Sequence, residues 1–158
     1  MPEGTIGRRL ESGYRRARFG QSLFSNMSMS DNMNWRALDR FSFGDSPALA
    51  DELADLVLAG RKRATYWAVS DGPITSVGKR MVMLDGMGIP RAVLETVELV
   101  QRRFSEIDEA FAFDEGEGDG TLTYWRTAHR RYFGRHGTFS PDMLLYCERF
   151  RLIERIDS

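Results

Sequence analysis

The 158-residue chain is 42% hydrophobic and 28% charged, with 15 Gly and 5 Pro, the make-up of one ordinary globular domain able to bury a core without disulfides or a structural metal. Its one cysteine, Cys147, excludes an internal disulfide and a cysteine-based zinc site within a single chain, and a net charge of −1 gives the whole molecule no strong pull on nucleic acid. No apolar run approaches the ~20 residues of a membrane span and the start lacks the apolar core of a secretion signal, so a cytoplasmic protein with no membrane partner is expected.

Residues 1–34 mix Gly, Ser, Asn, Met and Arg without a helical or strand period, and are expected to form a mobile basic N-terminal extension. Residues 1–30 hold five Arg against two Glu, a net of +3, which leaves −4 for residues 31–158. The extension reads as a disordered arm, a gene-start extension or a targeting peptide. An ordered domain is expected over 35–158.

Ser46-Pro47 is an N-cap followed by Pro at the first helical position, and Leu49, Leu53, Leu56 and Val57 recur at helical spacing up to Gly60. Arg61 to Trp67 then enters an extended segment. Gly72-Pro73 marks a turn, Arg80 to Asp85 a strand, and Gly86-Met87-Gly88 closes a hairpin with a strand over Arg91 to Val100. In that second strand Ala92, Leu94 and Thr96 alternate with Val93, Glu95 and Val97. Ser105 and Asp108 resemble a capping arrangement for a short helix through Phe111, ended by an acidic glycine-rich loop, Glu115 to Gly120. Residues 121–133 suit an amphipathic helix with Leu122, Trp125, Ala128, His129 and Tyr132 on one face, and Leu144 to Ile153 a closing strand. The order is that of an α+β fold, most simply a small curved or barrel-like sheet with flanking helices.

Three polar groupings invite a chemical reading. Glu115, Glu117 and Asp119 occupy the first, third and fifth positions of a calcium-loop pattern with Gly120 sixth, but the twelfth position is Arg126, a cation where the bidentate carboxylate belongs. The remaining choices are a solvated acidic turn or a carboxylate presented into a cleft. His129 and His136, the only histidines, do not make a metal site by themselves, and His129 is expected to pack rather than ligate. Lys62 and Thr65 form Lys-x-x-Thr just after Gly60, where an amine can approach a hydroxyl at a chain reversal. All but two of the 22 basic side chains are Arg, and Arg61 and Arg63 flank Lys62, whose amine their like charge would make more acidic. The competing reading is a solvated basic helix end.

Leu58-Ala59-Gly60-Arg61-Lys62-Arg63-Ala64-Thr65 joins Phe43-Gly44-Asp45, the run from Phe111 to Asp119, Tyr124-Trp125-Arg126-x-x-His129 and Cys147-Glu148-Arg149-Phe150. Together, in this order over roughly residues 38–155, they resemble the larger bacterial ASCH-domain proteins. The resemblance implies a PUA-like fold, a small β-barrel with flanking helices. It also implies a metal-independent amidohydrolase with no cofactor that removes the acyl group from N4-acetylcytidine and related N4-acylcytidines. The implied catalytic set is Lys62, Thr65 and Glu117, with Glu115 as the fallback carboxylate. Tyr66, Trp67, Trp125, Arg126 and His129 are then expected near a modified-nucleoside substrate, one of the aromatic rings stacking on the pyrimidine and Arg126 meeting ribose or phosphate. The chain is longer than the compact amidohydrolases, so the substrate is open to differ. RNA binding or ribonuclease activity is the alternative within the family, with RNA then the partner.

Two mechanisms fit the set. In one, Thr65 attacks the acyl carbon with Lys62 as base; in the other, charged Lys62 stabilises the oxyanion, Glu117 activates water and Thr65 positions the substrate.

Overall fold

The computed structural model describes residues 34–156 other than 45, 136 and 138, and Tyr132 by its backbone alone. The expected extension, apart from Asn34, and His136 lie outside the described residues. Five strands, β1 (Arg40–Phe41), β2 (Ala64–Ala68), β3 (Arg80–Leu84), β4 (Pro90–Arg103) and β5 (Leu144–Arg155), form one sheet in the order β1-β3-β4-β5-β2. The β1–β3 pair is parallel and the other pairs antiparallel. Among the described residues three α-helices flank the sheet: α1 (Pro47–Leu58), α2 (Glu109–Glu115) and α3 (Leu122–Arg135). The fold is α+β, a PUA-like architecture whose strands form an open five-stranded sheet rather than a closed ring among the described residues.

Local chemistry sets most of these boundaries. Ser46 Oγ accepts from Leu49 N at the start of α1, with Pro47 in the first turn. The helix buries Leu49, Leu53, Ala54 and Val57 against Phe41, Phe43, Trp67, Met81, Met83, Leu94 and Phe150 on one face of the sheet. The opposite face carries Ala64, Tyr66, Leu145 and Cys147, covered by α2 and α3 through Phe111, Ala112, Trp125 and Phe133. Cys147 is buried there, and burial pushes its thiol up to about 12.

Two expectations are corrected. Asp108, not Ser105, caps α2 by accepting from Phe111 N, and the helix runs on through Phe111 to Glu115, where Gly116 takes the left-handed conformation (φ 76°) and stops it. Ser105 belongs to a preceding single turn, Phe104–Glu106. The alternation of the second strand also breaks: the register slips between Thr96 and Glu98, so Val97 is a bulged, exposed residue. Glu98 thereby turns to the α2 side and meets Arg149 Nη1 at 3.1 Å.

Candidate active site

The end of α1 aims Lys62 inward. Gly60 adopts φ 80°, and the N–H groups of Arg61 and Lys62 both donate to Leu56 O. The chain then reverses into β2, carrying the Lys62 side chain into the interior where it is 1% exposed. Nζ donates to Ala64 O at 2.9 Å, Glu115 O at 3.3 Å and Glu117 Oε2 at 3.0 Å, stands 3.6 Å from Glu115 Oε2, and lies 5.4 Å from the centre of the Phe43 ring.

The acidic loop comes to Lys62 because α2 is clamped beside it. Asp114 O accepts from Arg63 N at 2.7 Å, and its carboxylate bridges Arg63 Nη2 at 2.8 Å and Arg149 Nε at 2.9 Å. Burial alone would ease the proton off Arg149, but its bonds to Asp114 and Glu98 outweigh that and hold the guanidinium charged. Glycine is required at two points of the loop. A Cβ on Gly116 would run into Arg61 O, and one on Gly118 into the Tyr124 ring. The backbone thus lies directly on the Arg61–Lys62 segment, and Glu117, 7% exposed, turns back to the ammonium. A solvated acidic turn is therefore not what forms at Glu115 and Glu117; only the far end of the loop is open, where Asp119 accepts from Thr121 N and Oγ1 and Thr121 Oγ1 caps Tyr124 N.

The charge environment of Lys62 differs from the expectation drawn from its neighbours in sequence. Arg63 points away, paired with Asp114, while two carboxylates and two carbonyl oxygens surround Nζ. Two carbonyl oxygens and the Glu117 carboxylate within hydrogen-bond distance match the three N–H donors of an ammonium.

Thr65 lies in β2 directly opposite Glu148 of β5, and both are buried. Cross-strand partners share a face, so these two side chains stand together on the α1 side of the sheet with Trp67. Glu148 accepts from Thr96 Oγ1 at 2.6 Å, and Thr96 Oγ1 lies 2.8 Å from Thr75 Oγ1. This buried polar chain was not singled out from the sequence. Its local signal is a glutamate at position 148 of the closing strand, on the alternate positions otherwise held by Tyr146, Phe150 and Leu152.

The expected binding residues divide between the faces. Tyr66, Trp125 and His129 meet on the α3 side, with ring centroids 4.7–5.1 Å apart, and His129 Nδ1 bonds to Trp125 O at 2.8 Å. Trp67 packs on the other face, 5.5 Å from Tyr146, with Nε1 donating to Gly72 O. Arg126 spans from α3 to Ser105 O and Ile107 O. Tyr66, Trp67 and Trp125 are all buried, so none of them offers a free face to a base here: alternate residues of β2 point into two filled cores. A cavity of about 280 Å³ opens beside Lys62 between the end of α1 and β5, walled by Val57, Gly60, Phe150 and Leu152 with Arg151 and Arg155 along it.

No helix among the described residues is long and apolar enough to cross a membrane, and no cluster of three His, Cys, Asp or Glu able to hold a metal occurs among them. The family model for the ASCH domain matches residues 39–154, and the chain belongs to that family. The crystal structure of an ASCH domain from Lactobacillus crispatus JV V101 is 30% identical, with a TM-score of 0.68 over 85% of this chain and 94% of that one. A protein of Enterococcus faecalis V583 is 27% identical, with a TM-score of 0.64 over 85% of each chain. No curated protein matches the chain.

Proposed function

We propose that this ASCH-domain protein is a metal-independent amidohydrolase that converts N4-acylcytidines to cytidine and a carboxylic acid. The observation that carries the reading is the buried contact between Lys62 Nζ and Glu117 Oε2 at 3.0 Å, joining side chains 55 positions apart three residues before Thr65. Association of ASCH domains with nucleic acid and nucleoside binding, and their compatibility with hydrolase chemistry, agree with it.

The nucleoside occupies the cavity of about 280 Å³, just under the ~300–1,000 Å³ typical of small-molecule sites, with arginines along its wall. Lys62 borders the cavity with its side chain buried, and Thr65 and Glu117 lie behind it, so the acyl group reaches inward past this wall for its oxygen to be polarised by the ammonium. Its bond to Glu115 O, at 3.3 Å the longest of the three, is the one a substrate oxygen displaces. Thr65 attacks the carbonyl carbon, and Glu117 holds the ammonium in place. Lys62 as general base is set aside, because an amine donating to three oxygens has no lone pair left to take a proton.

The test incubates the full chain with N4-acetylcytidine and longer N4-acyl analogues in the presence of a chelator and measures cytidine. Release that is lost in Lys62→Met supports the reading. Absence of release across all acyl lengths refutes it and favours the RNA-binding or ribonuclease alternative.

A further inference from the structure

We propose that Glu148 is the base that receives the Thr65 hydroxyl proton, a catalytic carboxylate in addition to Glu117; the proposal rests on the amidohydrolase reading above. Glu148 sits on β5 between β4 and β2 and is 3% exposed. On the β2 side its directly opposed residue is Thr65, which places the two Cβ atoms about 4.5–5.5 Å apart on one face. On the β4 side Thr96 pairs with Phe150, two positions along the same face, and its hydroxyl donates to Glu148 Oε2 at 2.6 Å. That length is typical of a hydroxyl bonded to an ionised carboxylate.

The direction of this chain follows from proton counting. Thr96 spends its only O–H on Glu148, so toward Thr75, 2.8 Å away, it can only accept, and Thr75 is the donor. Donors therefore run Thr75 to Thr96 to Glu148 at Oε2, and on the other flank the residue in register with the same carboxylate is Thr65, whose proton it receives. A buried carboxylate held by threonine hydroxyls is costly, and apolar side chains of similar volume would stabilise the sheet as well or better. The bulge at Val97 belongs to the same arrangement. It turns Glu98 away to Arg149, so beyond Thr96 the residue of β4 that faces Glu148 is Leu99.

The step balances without a further reactant. As Thr65 Oγ1 bonds to the acyl carbon, its proton moves to Glu148; as the carbon–N4 bond breaks, Glu148 passes that proton to N4 and cytidine leaves. Water then attacks the acyl-threonine and gives a proton to Glu148, which returns it to Thr65 Oγ1 as the carboxylic acid departs.

Glu148→Gln keeps the shape and an oxygen to accept from Thr96 while removing the base. With N4-acetylcytidine as probe, kcat is expected to fall at least 100-fold with KM within threefold and the thermal midpoint nearly unchanged, and Glu148→Asp to recover part of the rate. A kcat within threefold of the parent overturns the proposal while leaving the amidohydrolase reading intact. No turnover by the parent chain overturns both. Should Glu148→Gln fail to fold, Thr96→Val, which retains the carboxylate and removes its donor, decides: a kcat loss of at least tenfold at constant KM supports the proposal, and a kcat like the parent's ends it.

Discussion

Replacing Lys62 by Met tests the centre of the structure. The side chain is fully buried, and its loss leaves Glu117 and Glu115, whose side chains are 4% and 1% exposed, facing each other without the cation now 3.0 and 3.6 Å away. Removing one partner of a buried pair costs about 3–5 kcal/mol, because the remaining charge is stranded in a poorly polarisable interior. With two carboxylates stranded, the upper half of that range is expected, about 4 kcal/mol out of a total stability on the order of 5–15 kcal/mol. At roughly 2–4 °C per kcal/mol for a chain of this size, the thermal midpoint drops by about 8–16 °C. The assay is urea unfolding followed by tryptophan fluorescence, run on Lys62→Met, Glu117→Gln and the double variant. If stranded charge is the cause, the double variant regains about 2 kcal/mol relative to Lys62→Met, since the neutral amide that replaces the Glu117 carboxylate needs no cation. A loss below 1 kcal/mol in Lys62→Met, or a double variant no more stable than the single one, would show that the pair does not organise this part of the fold.

Two further outcomes follow from neighbouring geometry. Gly116→Ala forces a Cβ onto a left-handed position that costs about 1–2 kcal/mol and against the Arg61 carbonyl, so it should lower the thermal midpoint and cut turnover disproportionately by lifting Glu117 from Lys62; parent-like turnover would disprove the coupling. Burial pushes the Asp85 carboxyl up, but the N–H groups of Ile89 and Met87 and the Arg91 guanidinium outweigh it and hold it below its usual value, so its contribution is full above the unfolded value of ~3.9 and is lost as pH falls below that. Glu95, held down by Arg151 and Arg80, adds to the same window. Stability measured from pH 6 to pH 3 should fall less steeply in Asp85→Ala than in the parent, and an unchanged slope would reject the linkage.

Local physics made α1, α3 and the hairpin legible. Ser46-Pro47 and Gly60 bracket α1, Gly86-Met87-Gly88 turns β3 into β4, and the 3.6-residue spacing of Leu122, Trp125, Ala128 and His129 announces α3; each signal lies within a few residues of the feature it sets. The two-residue strand β1 has too few residues for a period to show, and its pairing with β3 is a long-range choice. Lys-x-x-Thr and the acidic loop were visible as candidates, but whether Glu117 is a solvated turn residue or a buried partner is decided by Asp114 clamping Arg63 and Arg149 and by a glycine on which Arg61 can rest.

What the sequence by itself determined is the α+β order and the family to which the chain belongs; Lys62, Thr65 and Glu117 were its candidates. Only the tertiary structure decided what surrounds them. Charges adjacent in sequence point apart, as Arg63 does from Lys62, while residues 55 positions apart meet at 3.0 Å. Register across β2, β5 and β4 places Thr65, Glu148 and Thr96 on one face, and a single bulged residue sends Glu98 to the other. Side-chain direction in a sheet alternates with every residue, so pairing register, a property of the whole sheet, settles which polar groups share a site.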